Sequence, residues 1–531
     1  MAPTTDEREP DPELAEAYLR GLLSTLGLDV EYVRAEGNTL YYRGGAGQEV
    51  PVVDFVGGYG SLIFGHNHPE LVSYARELLD QQIPIHAQFS YHPYANQLAG
   101  ALNRIIWREF GTDDRYSAIF ANTGAEAVET AMKHAEMDRR IRLAELEAEL
   151  DARVAAVVDA VREGSAVLTD DLADRLDGYA ATTGSDVDGL VAALARYNRE
   201  RLDQPPVFFT LEGSFHGKLA GSVQLTHNPG YRAPFERLAA QARFVPVDQP
   251  GAVGKLVDDE RLTVLEPVLD SGVVRLAERE VPRIAGFFVE PIQGEGGIHV
   301  LGPEMAQEVR AAADAAGFPV IVDEIQSGVG RSGAFFASSL VGLRGDYYVL
   351  AKSLGGGLAK SSVLLVRADR YRTDFELLHS STFAKDAYSC HLGMRVLRML
   401  EAEQGRAYRL AQERGAALLA ALVAVRDDFP DVVKEARGRG LMLGLEFHDL
   451  TGATGPILRE NANNGLIGYL LAGYLLREHR IRIFPTASAA HTLRLEPSVE
   501  LTDGEIEQLQ AGLRDLCAIL REQDEARLLP S

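Results

Sequence analysis

Two stretches of the sequence decide the fold: "VIVDEIQSGVGRSGAFF" at residues 320–336 and "YYVLAKSLGGGL" at residues 347–358. In each stretch a short apolar run stands directly before chemically useful side chains. The first run ends in two carboxylates, Asp323 and Glu324, and the second ends just before Lys352 and three glycines. Apolar runs without alternation are typical of strands that are buried on both faces of a parallel sheet. We therefore expect an acid and a lysine at the ends of adjacent strands.

The composition of the whole chain bounds its class. With 531 residues it exceeds the size of a single small core, so two or more domains are expected. A formal charge of −24 argues against nucleic-acid and anionic-membrane partners, because both require clustered Lys and Arg. Two cysteines form no disulfide framework, the acidic N-terminus is no signal peptide, and His66 and His68 have no third metal ligand nearby. We expect a cytoplasmic enzyme without a metal site.

Short β-type runs alternate with helical patterns from about residue 52 onward, as in "YSAIFANTG" followed by "AEAVETAMKHAEM". This alternation predicts an α/β fold with a mostly parallel sheet covered by helices. After about residue 390, long helices and short strands predict a smaller α+β domain. We therefore divide the chain into an N-terminal segment that contributes to the small domain (1–85), a large cofactor-binding domain (86–390) and a C-terminal small domain (391–531).

Residues 136–206 interrupt this pattern with helical segments. Apolar residues at spacings of three and four form one stripe along residues 143–161, which predicts an amphipathic helix. Two further helical pieces follow at 170–176 and 187–197, and Pro205-Pro206 closes the segment. We interpret 136–206 as a helical insertion into the large domain. The alternative is a pair of ordinary helices of the main fold.

An acid and a lysine at adjacent strand ends fit a heteroaromatic aldehyde cofactor. The lysine amine condenses with the aldehyde, and a carboxylate opposite the ring nitrogen keeps that nitrogen protonated, so that the ring withdraws electrons. Lys352 and Asp323 can therefore serve pyridoxal 5′-phosphate (PLP). Taken alone, the pair also has a structural explanation, since acids and lysines are common at strand ends.

The turn at residues 122–126 adds a candidate phosphate site. It lies between an apolar strand and a helix, where backbone N–H groups and the helix dipole favour an anion. A Thr123 N-cap with Glu126 as its capping-box partner explains the same residues without a ligand. In "GSFHGK", Phe215 can stack on a flat ring, with His216 beside it, although a single phenylalanine is more often part of a core.

Together these motifs resemble the class III, fold-type I PLP-dependent aminotransferases, the group of ornithine, acetylornithine, GABA and putrescine aminotransferases. The resemblance covers nearly the whole chain and implies a homodimeric enzyme that moves an amino group between an amine and a keto acid or aldehyde. The motifs that carry it stand in the family's order: "GHNHPEL", "NTGAEAVETAMKHA", "GSFHGK", "VEPIQGEGG", "VDEIQSGVGR", "LAKSLGGGL", "HSSTFAKDAYSC" and "LRLEPSVELTDGEIE".

The resemblance also implies a role for each matching residue. Lys352 forms a Schiff base with the cofactor and then moves the proton between the substrate Cα and the cofactor C4′, a role that Lys360, beyond the glycines, fits less well. Asp323 pairs with the pyridine nitrogen. The other implied cofactor contacts are Gln326 near the 3′-oxygen, Phe215 and Ile325 on the two ring faces, Thr123, Gly124 and Ala125 at the phosphate, His216 and Glu290 in the same motifs, and Thr382 at the phosphate of the partner subunit.

Three residues are implied in substrate binding. Glu295 and Arg494 resemble the family's gate pair, in which the arginine binds a substrate carboxylate and the glutamate neutralises it when the other substrate lacks one; a surface ion pair is the alternative. Lys218 stands where several members that use α-amino acids have arginine, and it resembles the putrescine-type members. Because Arg binds carboxylates bidentately and Lys does not, we expect an ω-amine or aldehyde substrate.

Two departures from the family pattern affect this interpretation. Ala384-Lys385-Asp386 replaces the usual Gly-Gly-Asn, which puts the support of the phosphate site in question. The insertion at 136–206 could dock a carrier protein or a pathway enzyme that hands over a reactive aldehyde, or it could be a solvated decoration. The alternative functions are an aminomutase or decarboxylase of the same fold, or an inactive scaffold that binds partners through the insertion. The presence of Lys352, Asp323, Gln326 and Phe215 together argues against the scaffold.

Overall fold

The computed structural model describes residues 15–529, except for 46, 88–89, 170–171, 173–174, 177–178 and 180–185. The described helices are α1 (Ala17–Thr25), α2 (Gly57–Gly60), α3 (Pro69–Asp80), α4 (Pro93–Phe110), α5 (Gly124–Arg162), α6 (Val187–Leu202), α7 (Pro229–Arg232), α8 (Ala252–Asp259), α9 (Pro303–Ala316), α10 (Phe375–Leu378), α11 (Ala387–Asp428), α12 (Pro456–Asn463), α13 (Ile467–His479) and α14 (Asp503–Glu522). In the described ranges, no helix is long and apolar enough to cross a membrane.

The described strands fall into several sheets. They are β1 (Tyr32–Glu36), β2 (Thr39–Arg43), β3 (Glu49–Asp54), β4 (Tyr116–Ala121), β5 (Val207–Leu211), β6 (Gln241–Val245), β7 (Arg261–Asp270), β8 (Val273–Pro282), β9 (Ile284–Val289), β10 (Ile292–Gln293), β11 (His299–Val300), β12 (Val320–Asp323), β13 (Tyr347–Leu350), β14 (Ser362–Arg367), β15 (Val433–Arg439), β16 (Met442–Phe447), β17 (Ile481–Arg482), β18 (Phe484–Pro485) and β19 (Thr492–Leu495).

A seven-stranded sheet forms the centre of the larger compact unit, residues 70–408. Its strand order is β4-β14-β13-β12-β9-β5-β6. Only the pairs that involve β14 are antiparallel, and the other neighbouring strands run parallel. The predicted mostly parallel sheet is therefore confirmed. Because β5, β9, β12 and β13 are buried along their whole length, their sequences show no alternation.

Helix α5 packs on this sheet through small side chains. Ala127, Ala131 and Ala135 are fully buried, and their size lets the helix backbone approach the strands closely. The same cluster contains large side chains from the strands, so that large and small residues interdigitate. The strand members of this cluster include Phe208, Phe288, Ile321, Tyr347, Val349, Leu364 and Val366.

The second half of α5 belongs to a separate structural module, which also contains α6 and the hairpin of β7 and β8. We call it the appended module. Leu143, Leu146, Leu150 and Val157 of the predicted apolar stripe are buried in its two clusters, against α6 and the hairpin. The side-chain amide of Asn198 donates to the backbone oxygen of Leu265 and accepts from its N–H, both at 2.8 Å, and so joins α6 to β7.

The sequence pattern predicts helices in the appended module, whereas the hairpin was not predicted. The ten-residue strands β7 and β8 pair antiparallel over their whole length and come from residues 261–282, outside the predicted insertion. Of the predicted helical piece 170–176, residues 170–171 and 173–174 lie outside the described residues. The module is therefore built from two separate chain segments.

The other compact unit consists of residues 1–69 and 409–531. It contains two four-stranded sheets, ordered β1-β2-β3-β17 and β15-β16-β19-β18. The helices predicted near 393–424 and 465–479 are confirmed as α11 and α13, although the α11 backbone leaves the helical conformation at 402–405. Asp54 is buried here, between the His66 ring and the Arg482 guanidinium.

Candidate active site

The predicted site residues follow strands whose carboxyl ends lie at one edge of the large sheet. Asp323 closes β12 and pairs in register with Val349 of β13, three residues before Lys352. Glu290 directly follows β9, the neighbour of β12 on its other side. The turn at 122–125 follows β4. Residues 213–218, which we call the Phe215 segment, follow β5. The parallel topology therefore explains why these distant stretches of sequence converge.

Lys352 begins a short 3-10 turn at the end of β13, and its backbone is left-handed. Its φ is +48°, a conformation that is unusual for a residue with a Cβ and that is often found at functional sites. The side chain is half-buried, whereas Lys360 is exposed. The strained backbone and the partial burial distinguish Lys352 from Lys360, and the role of Lys352 as the lysine that binds the cofactor stays a prediction.

Asp323 is held by a buried histidine. His216 Nδ1 lies 2.7 Å from Asp323 Oδ2, and the backbone N–H of Ile325 donates to Asp323 Oδ1 at 3.0 Å. Burial alone would lower the pKa of His216, but the hydrogen bond and the charge of Asp323 outweigh it and raise the pKa. The other ring nitrogen of His216 lies 3.1 Å from Thr210 Oγ1. The contacts with His216 and with the N–H of Ile325 thus hold the Asp323 side chain in a fixed orientation at the strand end.

Glu290 lies behind the Phe215 segment. Its carboxyl group accepts hydrogen bonds from the backbone N–H of Phe215 at 2.9 Å and of Gly294 at 3.2 Å. Burial raises the pKa of Glu290 to about 7. The geometry therefore gives Glu290 a positioning task for the aromatic residue, a partnership that its motif alone did not indicate.

The turn before α5 contacts the other parts of the site. Thr123 is the N-cap of α5 and accepts from the N–H of Glu126, so the capping interaction is present. A Cβ on Gly124 would lie 2.8 Å from Ile325 Cδ1, and a Cβ on Gly217 would lie 2.8 Å from the Cβ of Ala125. Glycine is required at both positions because the turn, Ile325 and the Phe215 segment are in contact.

The remaining predicted residues lie as follows. Gln326 and Glu295 are buried, and Thr382 is exposed on the segment after α10. Lys218 is exposed, and its Nζ lies 3.8 Å from the centroid of the Tyr231 ring. Arg494 belongs to the other compact unit, so its predicted pairing with Glu295 stays a prediction.

Glu324 has a different task from its neighbour Asp323. Its carboxylate accepts from the backbone N–H groups of Ala337 and Ser338 and from Ser327 Oγ, and burial raises its pKa to about 7. Of the two carboxylates in the opening stretch, one therefore faces the site and the other fixes the loop behind it.

Residues 25–490 match the family model of the class-III aminotransferases. This chain belongs to the class-III aminotransferase family. The match covers most of the sequence, so the enzyme is a PLP-dependent aminotransferase of PLP fold type I, as the sequence analysis predicted.

Solved structures of other transaminases share the fold of this aminotransferase. Ornithine aminotransferase from Toxoplasma gondii is 21% identical, with 93% of this chain and 92% of that chain covered and a TM-score of 0.63. An amine transaminase from an uncultivated Pseudomonas species, solved with PLP bound, is 20% identical, covers 97% and 99%, and has a TM-score of 0.65. A transaminase from the marine bacterium Virgibacillus is 17% identical, covers 93% and 94%, and has a TM-score of 0.66.

The residues of this aminotransferase fit PLP. The site offers a lysine amine for the aldehyde, a buried carboxylate that a histidine holds in place, and a glycine turn at the N-terminus of a long helix for the phosphate. The turn at Gly124 has no room for a side chain on its Ile325 side. These observations are independent of the family match and agree with it.

Proposed function

We propose that this aminotransferase acts on ω-amines or aldehydes that carry no α-carboxylate, with an amino acid and its keto acid as the other substrate pair. The observation that carries the proposal is the position of Lys218, the residue that takes the place of a carboxylate-binding arginine in the resemblance. Its ammonium group lies over the Tyr231 ring at 3.8 Å, and the same ring contacts Phe215 edge-on at 6.4 Å between centroids.

This arrangement supports an amine substrate on physical grounds. A lysine whose charge rests on an aromatic face gains about 0.5–2 kcal/mol from that contact and must give it up to bind a carboxylate. A lysine also lacks the bidentate geometry of arginine. The substrate pocket is therefore poor at α-carboxylate recognition on this side, and an uncharged or amine-bearing chain is the better ligand.

We propose the following roles for the site residues. The Thr123–Ala125 turn binds the phosphate, and Phe215 and Ile325 hold the ring from its two faces. Asp323, oriented by His216, faces the ring nitrogen.

When bound, PLP supplies an electron-withdrawing ring that acidifies the substrate Cα–H. Lys352 would hold the cofactor through its amine and would carry the proton between the substrate Cα and the cofactor C4′. We propose that Gln326 binds the 3′-oxygen and that Arg494 and Glu295 alternate with the two substrates.

The proposal includes a homodimer in which Thr382 of each subunit serves the phosphate site of the other, and a location in the cytoplasm. A carrier protein or pathway enzyme that delivers the aldehyde to the appended module is part of the same proposal. The charged surface of the module's hairpin, with pairs such as Arg175 to Glu278 and Arg279 to Glu149, provides polar groups for such a contact.

Substrate competition tests the proposed function. We expect a larger kcat/KM for putrescine-like diamines than for ornithine or 4-aminobutyrate. Lys218→Arg should raise the relative kcat/KM of the carboxylate-bearing amines by about tenfold, which corresponds to about 1.4 kcal/mol. Lys360→Arg, an exposed lysine outside the pocket, is the control. A wild-type enzyme that prefers ornithine would contradict the proposal, and nitrogen that stays within the substrate would indicate a mutase.

A further inference from the structure

Residues 379–382, which include Thr382, make hydrogen bonds to α5 and to the turn before it. This turn, residues 122–125, is the proposed phosphate site, and we call it the phosphate turn. Three side chains of this region contact residues 379–382. Asn122 Nδ2 donates to Ser381 Oγ at 2.7 Å, while Thr130 Oγ1 and Lys133 Nζ each lie 3.1 Å from a ring nitrogen of His379. All the contacts are side chain to side chain, so the positions of Ser381 and Thr382 depend on these particular residues.

The hydrogen-bond network defines which nitrogen of His379 carries the proton. The hydroxyl of Thr130 donates to the backbone oxygen of Glu126 at 2.7 Å, and it must therefore accept from His379 Nε2–H. His379 Nδ1 then has a free lone pair, which accepts from the Lys133 ammonium group. The arrangement needs a neutral imidazole, since a protonated ring would have no acceptor and would place two cations 3.1 Å apart.

The surroundings of His379 favour this neutral form. Burial and the charge of Lys133 lower the pKa of His379 from its ordinary value of 6.5, and the charge of Glu126 opposes them. In α10, directly before His379, the Phe375 ring stacks on the imidazole with 5.1 Å between the ring centroids. The Glu376 carboxylate accepts a hydrogen bond from the Tyr371 hydroxyl. Asp374 is exposed to solvent.

The other end of the same helix region forms the phosphate turn. Asn122 stands immediately before Thr123, and both its backbone N–H and its amide donate to Glu126. The residue that holds Ser381 is thus fixed to the first turn of α5. A displacement of residues 379–382 will therefore also displace residues 122–125. A displacement of residues 122–125 will likewise move residues 379–382.

We propose that Lys133, Thr130 and His379 form a latch that positions Thr382 for the phosphate of the cofactor in the partner subunit's site, and that protonation of His379 opens it. Lys133, Thr130 and His379 are positioning residues and do not touch the reacting atoms. The inference rests on the proposed homodimer, and it adds a mechanical link between each subunit's own phosphate turn and the threonine that it offers to the other site.

The direction of the pH effect follows from the charges. Above the pKa of His379 the imidazole is neutral and the latch is closed. As the pH falls through that pKa, which lies below 6.5, the contact with Lys133 is replaced by repulsion and Thr382 loses its position. PLP affinity should therefore fall in acid, more steeply than the affinity of a variant with no titratable group at position 379.

The test is the dissociation constant of PLP, measured by spectroscopic titration of the full-length apoenzyme between about pH 5.5 and pH 8. Lys133→Met should weaken PLP binding by roughly 10- to 150-fold, the range expected for losing a hydrogen bond from a charged donor, while kcat at saturating PLP stays close to wild type. His379→Asn keeps an acceptor near the position of Nδ1, so it should bind PLP almost as well as wild type but without the acid-dependent loss. Arg140→Met, which removes an exposed cation two turns further along α5, is the matched control.

Thr382→Ala separates the latch from the homodimer proposal. If Thr382→Ala weakens PLP binding and Lys133→Met does not, the latch is wrong and the shared site stands. Unchanged PLP binding in Thr382→Ala overturns both, because nothing is then left to position. If Lys133→Met and Arg140→Met weaken PLP binding equally, the cause is the loss of one positive charge rather than the loss of the contact with His379. That result would also overturn the latch.

Discussion

At the scale of single residues, the site depends on pairs that are distant in sequence. The sequence predicts Asp323 and Lys352 at the ends of adjacent strands, and the structure places them there, at the ends of β12 and β13. The partner of Asp323 did not follow from the sequence, because His216 reaches it only through the loop between β5 and α7, which is fixed by hydrogen bonds such as Ser214 to Leu225 and Thr226 to Gly217. Loop conformation of this kind has no periodicity that a sequence pattern could reveal.

Glu290 gives a pH-dependent prediction. Its pKa is raised from 4.5 to about 7 in the folded protein, so the folded state binds more protons than the unfolded state between these values. Stability from this group is complete below pH 4.5 and is lost as the pH rises through about 7. Glu290→Gln has no group that titrates at this position, so it should not show this loss. From acid to neutral pH, its free energy of unfolding should therefore rise by up to about 3 kcal/mol relative to that of wild type.

Urea unfolding of wild type and Glu290→Gln at several pH values measures this difference. A constant difference across the range would mean that the pKa of Glu290 is the same in the folded and unfolded states, and it would show that burial does not raise this pKa. Glu290→Ala should also weaken PLP binding, since the N–H groups of Phe215 and Gly294 would then lack their acceptor.

Tyr231 provides a second prediction at this scale. Tyr231→Leu removes the aromatic face under Lys218 and frees the ammonium group for a carboxylate. The ratio of kcat/KM for 4-aminobutyrate over putrescine should rise roughly 2- to 30-fold, as expected for the loss of a cation–π contact of about 0.5–2 kcal/mol. Tyr231→Phe keeps the ring and should leave the ratio unchanged. A ratio that does not respond to Tyr231→Leu would show that Lys218 does not influence substrate choice.

At the scale of elements, α5 combines three tasks. Its first turn carries the proposed phosphate site, its middle contacts His379 and packs on the sheet, and its second half belongs to the appended module. The alternation of strands and helices and the parallel sheet were predictable. Strands that are buried on both faces are apolar at every position, so their sequences are continuous apolar runs. The stripe at 143–161 was predictable for the corresponding reason, since a helix with one buried face has a period of 3.6 residues.

The hairpin of β7 and β8 was missed although its sequence contains a signal. Ser271 and Gly272 both have positive φ, +52° and +80°, which is the geometry of a type I′ turn. The strands themselves are rich in charged residues because one face is solvated, and β7 contains a proline, Pro267, which is a residue that argues against a strand in a sequence pattern. A turn with "SG" between alternating strands was the available indication. Its packing against a helix more than 100 residues earlier was not predictable.

The appended module yields a prediction about its own stability. Leu265→Ala removes a side chain that is 2% exposed in the module core and should destabilise the module by about 2–5 kcal/mol. Limited proteolysis should then cleave faster within residues 143–202, while turnover of a free diamine stays unchanged. Leu269→Ala, at an exposed position of the same hairpin, is the control. Loss of free-diamine turnover in Leu265→Ala would place the module in the catalytic machinery.

At the scale of the whole molecule, the proposed dimer makes each active site depend on two chains. A heterodimer of a Lys352→Ala chain and a Thr382→Ala chain then has one site with both substitutions and one site with neither. It should regain about half of the wild-type activity, given two-fold symmetry. Should Thr382 serve its own subunit's site, both sites would carry one defect and no such recovery would occur. Activity of tagged, co-expressed heterodimers decides between the two.

The most direct test of the account is the visible absorbance spectrum of the purified enzyme with PLP, recorded as amine donors and then a keto acid are added. We expect a putrescine-like amine to bleach the band of the lysine-bound cofactor and a keto acid to restore it, with the nitrogen recovered in the amino acid formed. Lys352→Ala should show no such cycle. A band that no donor changes, or a wild-type cycle that persists in Lys352→Ala, would contradict transamination through Lys352.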